Sequence, residues 1–216
     1  GRPPLWVHSA ADRWRLARRL ARRLECEGWA HTSSCGLSPE LLDAFREELP
    51  AAESRMVPGK IDGSEKNYRN DRVFFFRSHN ERECQEFPGL LRLSRALEAL
   101  VLQTARELRA SSLRLRLTGR FDPMLSTYGP GGHYLPHVDS NGTDDRILTA
   151  IYYPNKDWCR SMGGELRLHG DGQHVDFYPE EDSLVLFRAD EVMHEVRPTH
   201  STRHALSFWF CGSCEG

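Results

Sequence analysis

A histidine and an aspartate two positions apart, His137 and Asp139, close the stretch Tyr128-Gly-Pro-Gly-Gly-His-Tyr-Leu-Pro-His-Val-Asp139. On an extended strand alternate side chains share a face, so both would point one way, with Val138 turned into the packing behind them. A third donor, His194, follows 55 residues further on in Asp190-Glu-Val-Met-His-Glu-Val196, just after the apolar run Ser183-Leu-Val-Leu-Phe187. Two imidazoles and one carboxylate on one face of a metal, with the other positions open, is the arrangement of non-haem Fe(II) sites, and oxygen chemistry is what it permits. His-x-Asp is a short pattern, and ten histidines offer many chances of a third partner. The triad therefore needs support from the residues around it.

That support comes from Arg203, nine residues past His194. Reading 194–197 as strand, 198–202 as turn and 203–210 as strand gives a hairpin centred near Pro198 and Thr199, with position 194 roughly opposite 203. Along the second strand Arg203, Ala205, Ser207 and Trp209 share one face, and His204, Leu206, Phe208 and Phe210 the other. A permanent cation, two small residues and an aromatic ring describe a cavity wall better than a close-packed core. The planar fork of arginine grips a carboxylate with two parallel bonds, so the site is shaped for an acidic co-substrate lying on the metal. Parity on other strands agrees: Met124, Ser126 and Tyr128 share a face, as do Thr149, Ile151 and Tyr153. Burying the tyrosine hydroxyls is costly without partners, and a carboxylate held by Arg203 would supply one.

The elements that must position these residues fall into two groups. Ala10 to Glu27 is a helix with Ser9 as cap and Asp12 completing a capping box; Trp14, Ala17, Leu20, Ala21 and Leu24 recur at helical spacing, and the arginines at 13, 15, 18, 19, 22 and 23 fall elsewhere. Gly28 ends it. Ser38 to Leu49 reads as a second helix with Pro39 at its first position, and Leu90 to Leu108 as a long amphipathic third. Between them, 51–76 loses its period before Val73-Phe-Phe-Phe76, as a functional loop does. After Ser112, strand signals dominate: 113–117, 124–128, 146–153, 165–169, 174–178, 183–187, 195–197 and 204–210. Short strands joined by Gly, Asn, Asp and Pro turns imply a mainly β body with flanking helices, a double-stranded β-helix of jelly-roll type. The expected organisation is one catalytic domain over 1–216, with helical support roughly over 9–110, the jelly-roll core over 111–211 and a substrate loop over 51–76.

A formal charge of -2 with 28% charged residues advertises no nucleic-acid partner, and no apolar run reaches the about 20 residues a membrane span requires. The opening Gly-Arg-Pro-Pro-Leu-Trp-Val is no signal peptide, and a start without methionine suits a trimmed fragment. Six cysteines, at 26, 35, 84, 159, 211 and 214, show no disulfide framework. A reduced cytoplasmic or nuclear setting and a monomer are the expectation.

The motifs His137-Val-Asp139, Asn141-Gly-Thr-Asp-Asp-Arg146, Ile151-Tyr-Tyr-Pro-Asn-Lys-Asp-Trp158, Gly163-Gly-Glu-Leu-Arg167 and His194-Glu-Val196 with Arg203 and Trp209 together resemble the 2-oxoglutarate- and Fe(II)-dependent prolyl 4-hydroxylases of the hypoxia-inducible-factor type. That group includes protist relatives that modify a ubiquitin-ligase adaptor subunit. The similarity runs weakly from about position 15 and strongly from 122 to 210. The resemblance implies Fe(II), 2-oxoglutarate and O2 as cofactors with L-ascorbate as reductant, and trans-4-hydroxylation of a proline in a protein substrate, with a role in sensing oxygen. It implies metal ligation by His137, Asp139 and His194 and binding of the distal carboxylate by Arg203 and Tyr153. Tyr128, Ser207, Leu166 and Ile151 would line the same cavity. Arg69 and Asp71, in the charged tip of a substrate loop, and Arg146 and Trp209 at the mouth would contact the peptide. Two segments depart from the family form by one residue each, 128–137 and 158–163, and both alter the pocket rim. The competing readings are an oxygenase acting on a non-prolyl substrate and an oxygenase-like binding module without catalysis.

Overall fold

Helix α1 (Ala10–Glu27) forms where the sequence signals it: the Ser9 hydroxyl accepts the Asp12 amide, and the helix ends at Gly28 in the left-handed region, φ 72°. Its buried stripe is Leu16, Ala17, Leu20, Ala21 and Leu24. Trp14, expected on that stripe, is instead 43% exposed, because its indole N–H donates to Glu107 and the Arg18 guanidinium lies over its ring. The computed structural model describes residues 4–60, 68–108, 113–140, 142 and 144–214.

Helix α2 (Pro39–Ser54) is capped by Ser38 and runs a turn beyond the expected end at Leu49. Pro50 lies inside the helix and removes one backbone donor there, yet the helix continues past it and Ala52 is buried. Residues 51–54 of the expected loop are therefore helix. The rest of that stretch is partly strand, with β2 (Val57–Pro58) pairing antiparallel with β3 (Arg72–Phe75); positions 61–67 lie outside the described residues. A short helix that the sequence reading did not anticipate, α3 (Glu81–Glu86), starts at Asn80. Helix α4 (Pro88–Glu107) buries Leu90, Leu93, Leu97, Leu100 and Val101 and packs against α1 and α2.

The remaining strands are β1 (Trp29–Thr32), β4 (Leu115–Arg120), β5 (Met124–Tyr128), β6 (Tyr134–His137), β7 (Arg146–Tyr153), β8 (Leu166–His169), β9 (His174–Phe177), β10 (Ser183–Arg188), β11 (His194–Val196) and β12 (Arg203–Cys214). They form two antiparallel sheets. The larger runs β1-β10-β7-β12-β5-β3-β2, with β4 also on β12, and the smaller runs β6-β11-β8-β9. From β5 onward the chain passes back and forth: β5, β7, β10 and β12 lie in the larger sheet, and β6, β8, β9 and β11 in the smaller. That is the double-stranded winding of a jelly roll.

Each face of the larger sheet has its own packing. Leu206, Phe208 and Phe210 of β12 join Leu148, Ala150 and Tyr152 of β7 in the core beneath the helices. On the opposite face Ile151, Tyr153, Val185, Phe187 and Ala205 meet Leu166, Leu168 and Phe177 of the smaller sheet. The helices thus hold one sheet rigid, and the second sheet closes over its other face.

The expected hairpin between β11 and β12 does not form. β11 pairs with β6 and β8, and β12 with β4, β5 and β7. Residues 197–202 are an arch from one sheet to the other rather than a turn, because Thr199 exchanges backbone hydrogen bonds with Gly131 and Gly132. His194 and Arg203 consequently stand on opposing sheets across a gap.

Candidate active site

Between the sheets lies a cavity of about 370 Å³. His137 is the last residue of β6, and His194, directly paired with it, is the first of β11. Asp139 is not on the strand as expected; it sits in the bend that follows, where the Ser140 amide bonds to the Ala189 carbonyl. Alternation therefore stops at His137, and Val138 lines the cavity instead of packing behind it.

The three donor atoms of His137, Asp139 and His194 lie within 4.8 Å of one another. Nε2 of each imidazole is 3.7 Å from an Asp139 oxygen, His137 toward Oδ1 and His194 toward Oδ2. The Nδ1 atoms face the carbonyls of Leu135 at 2.8 Å and Val192 at 3.0 Å. A carbonyl only accepts, so each Nδ1 carries the hydrogen and each Nε2 keeps its lone pair for the centre of the triad. Thr149 Oγ1 donates to Asp139 Oδ2 at 2.6 Å. Burial pushes the Asp139 carboxyl up, but His194, His137, Thr149 and the nearby Trp209 indole outweigh it and hold the group below its ordinary value; the indole N–H stops short of a formed hydrogen bond. Burial and then the neighbouring His194 lower His137 to about 4. Two imidazoles presenting Nε2 and one carboxylate are a donor set a divalent cation takes.

Across the gap stands Arg203, only 1% exposed. Its Nε donates to the Gly164 carbonyl at 2.8 Å, and its guanidinium lies 5.0 Å from the ring centroids of both Tyr128 and Tyr153. Gly164 is required there twice over, by a φ of +69° and because a Cβ would come within 3.0 Å of Arg203 Cδ. The Tyr153 hydroxyl is buried with no formed hydrogen bond. Burial raises both phenols, Tyr153 to about 12, and Arg203 partly opposes it.

Three arginines line this cavity, and their partners differ. Arg69 donates to both oxygens of Asp71, at 2.7 and 2.5 Å, and Arg146 donates to both of Asp144. Arg203 makes no ion pair among the described residues. A buried cation without a carboxylate is costly to desolvate, so the cavity is electrostatically incomplete beside Arg203 and an orphaned hydroxyl. A ligand carboxylate there would satisfy both.

Of the other residues the sequence singled out, Tyr128, Ile151, Leu166, Ser207 and Trp209 line the cavity. Tyr153 is not part of the wall itself; it is fully buried beside the site, its ring against the Arg203 guanidinium. Asp71 likewise lies behind Arg69, its side chain inaccessible, so a direct contact with a large ligand is ruled out by burial. Arg146 sits at the rim over the rings of Phe121 and Trp209. The sequence reading missed the exposed rings of Phe75 and Phe121, which widen the mouth, and Tyr134, which stacks on His137. Parity could not have found Tyr134: four residues of β6, 134–137, oppose three of β11, 194–196, a bulge that brings positions 134 and 137 to one side.

Comparison with known proteins adds to this geometry. Residues 123–211 match the family model of the 2OG-Fe(II) oxygenase superfamily. Over 163 residues the chain is 34% identical to Egl nine homolog 1 of Rattus norvegicus, a match that covers 73% of this chain and 46% of that protein. The chain therefore spans less than half the length of that relative. Among solved structures, a prolyl hydroxylase in complex with a hypoxia inducible factor oxygen degradation domain peptide fragment, from Trichoplax adhaerens, superposes with a TM-score of 0.80 at 24% identity, covering 95% of this chain and 94% of that one. A Pseudomonas putida prolyl-4-hydroxylase superposes with a TM-score of 0.74 at 25% identity, covering 91% and 100%. The jelly-roll winding is thus shared with these enzymes. No helix among the described residues is long and apolar enough to cross a membrane.

Proposed function

We propose, from the match of residues 123–211 to the 2OG-Fe(II) oxygenase superfamily, that the chain is a dioxygenase that hydroxylates C4 of a proline, in the trans configuration, within a protein substrate. The observation that carries the reading is the pairing of an open His-Asp-His face with a buried arginine that lacks a carboxylate, on opposite walls of one cavity. The names of the relatives, prolyl hydroxylases among them, support proline as the target.

In this mechanism His137, Asp139 and His194 hold Fe(II), the imidazoles through Nε2 with their Nδ1 hydrogens committed to backbone carbonyls. Fe(II) with 2-oxoglutarate and O2 supplies the oxidising power for inserting oxygen into a C–H bond, the ketoacid leaving as succinate and carbon dioxide. Arg203 grips the distal carboxylate with the two guanidinium nitrogens that Gly164 leaves free, and Tyr153 donates its orphaned hydroxyl to the same group. Tyr128, Ile151, Leu166 and Ser207 wall off that end from water. Thr149 keeps Asp139 oriented and anionic. No side chain serves as general acid or base. Trp209 and Arg146 contact the peptide at the mouth, with Arg69 beside them and Asp71 acting only through its hold on Arg69.

A hypoxia-factor-like or ubiquitin-ligase-adaptor-like substrate, a role in oxygen sensing, and L-ascorbate as reductant complete the proposal. So do a monomeric state without nucleic-acid or membrane partners and a cytoplasmic or nuclear location, which the six unpaired cysteines support. The test measures succinate formed from 2-oxoglutarate with and without proline peptides, and mass spectrometry of the peptides for one added oxygen. Peptide-stimulated succinate together with oxidised proline supports the reading. Succinate coupled to a different residue assigns a non-prolyl substrate, and no turnover leaves a binding module.

A further inference from the structure

The Tyr134 ring lies flat on that of His137, centroids 3.7 Å apart and planes 14° from parallel. The Arg69 guanidinium sits over the Tyr134 ring, 4.4 Å from its centroid. Asp71, its side chain wholly inaccessible, fixes that guanidinium through Nε and Nη2. The four side chains stand in file from a buried acid to the imidazole. The backbone repeats the arrangement: residues 68–70 run antiparallel beside β6, with Leu135 N donating to the Tyr68 carbonyl, an Arg69–Tyr134 bridge, and the Tyr68 hydroxyl on the Pro136 carbonyl.

His137 needs such a device more than His194 does. β6 is the outermost strand of the smaller sheet, and β11 lies inside it. His194 is 3% exposed and packs against Phe187 as well as His137. A single Nδ1 hydrogen bond to Leu135 anchors the His137 ring at one point, whereas a stacked ring fixes its plane. Arg69 is already neutralised by Asp71, so its charge is not free to grip a second carboxylate; what it contributes is shape.

We propose that Arg69, held by Asp71, is a positioning residue that presses Tyr134 onto His137 and thereby sets the plane of that imidazole at the metal. This rests on the reading of His137, Asp139 and His194 as ligands. Partners of a metal ligand typically change metal affinity by about 10- to 100-fold when removed. The probe is Co(II), titrated without 2-oxoglutarate into the protein freed of metal, reading both affinity and the visible d–d spectrum. Tyr134→Phe keeps the ring and retains wild-type affinity and spectrum. Tyr134→Leu and Arg69→Leu weaken binding by about 10-fold or more and alter the spectrum. Arg69→Lys, which keeps charge but not the flat face, falls between. Circular dichroism melts establish that each variant is folded, and Tyr134→Phe against Arg69→Lys remains decisive if a leucine variant is not. Wild-type affinity and spectrum in Arg69→Lys and in a folded leucine variant overturn the proposal while leaving the ligands intact. If the wild type binds no Co(II), or His137→Ala binds it equally well, the ligand reading itself fails and the proposal with it.

Discussion

Replacing Arg203 by methionine keeps most of the stem and removes the charge, and the structure sets opposite expectations for the free and the liganded protein. In the complex, taking away one partner of a buried, hydrogen-bonded charge pair costs about 2–5 kcal/mol, or about 30- to 4,000-fold in affinity for 2-oxoglutarate at about 1.4 kcal/mol per tenfold. In the free protein the guanidinium is 1% exposed, faces two tyrosine rings and one carbonyl, and pairs with no carboxylate among the described residues. Removing a buried charge relieves a desolvation penalty of several kcal/mol, while the lost bond to Gly164 subtracts about 1.5–3 kcal/mol and the lost ring contacts with Tyr128 and Tyr153 about 1–2 kcal/mol. These nearly cancel, so the free variant melts within about 4 °C of the wild type, at about 2–4 °C per kcal/mol for a chain of this size. The assay is a thermal melt in Mn(II), with and without 2-oxoglutarate at about a hundred times the wild-type Kd. That excess stabilises the wild type by about 2.7 kcal/mol, and a 30-fold weaker variant by less than about 1 kcal/mol. A free Arg203→Met protein that melts more than about 10 °C lower, yet keeps the full shift with 2-oxoglutarate, would refute the reasoning and make Arg203 a structural residue.

Other consequences are open to the same measurements. Tyr153→Phe removes a buried hydroxyl with no formed hydrogen bond in the free protein, so its melting temperature holds or rises while affinity for 2-oxoglutarate drops about 10-fold or more, the worth of a hydrogen bond to a charged group; calorimetric titration checks it. Gly164→Ala places a Cβ against Arg203 at a φ of +69°, which costs about 1–2 kcal/mol in the left-handed region and raises the KM for 2-oxoglutarate as Arg203 is displaced. Asp182 is raised by burial, which outweighs its bonds from Ser34 and Gly36. Its stability contribution is therefore fully present below the ordinary carboxylate pKa and lost as pH rises through the raised one. Asp182→Asn, at a φ of 61° that asparagine accepts, gains on the wild type as pH rises from 4 to 8. A gap between their melting curves that does not change with pH counts against it.

Much of the cavity wall was legible because strands β5, β7 and β12 are regular. Alternation along β12 put Arg203, Ala205, Ser207 and Trp209 on one face, and all four line the cavity. The caps of α1 and α2 were equally local and equally readable. What escaped was set by tertiary bonding. The arch at Thr199, tied to Gly131 and Gly132, put His194 and Arg203 on different sheets although their spacing suits a hairpin. The bulge in β6 hid Tyr134, and the end of that strand at His137 turned Val138 into the cavity. Asp71 holds Arg69 without reaching the cavity itself, and no periodicity separates a wall residue from the one that supports it.

The pairing of Arg69 and Arg146 with acids only two positions away, Asp71 and Asp144, also governs how molecules arrive. Each pair is a compact dipole, and beyond the ionic atmosphere of about 8 Å at physiological salt its field is negligible. On the proposed function, a polypeptide diffusing toward the mouth is therefore expected to be captured by shape and desolvation rather than by these pairs from afar, with an association rate nearly flat as salt is raised. The uncompensated guanidinium at the bottom draws only what is small and anionic enough to reach it.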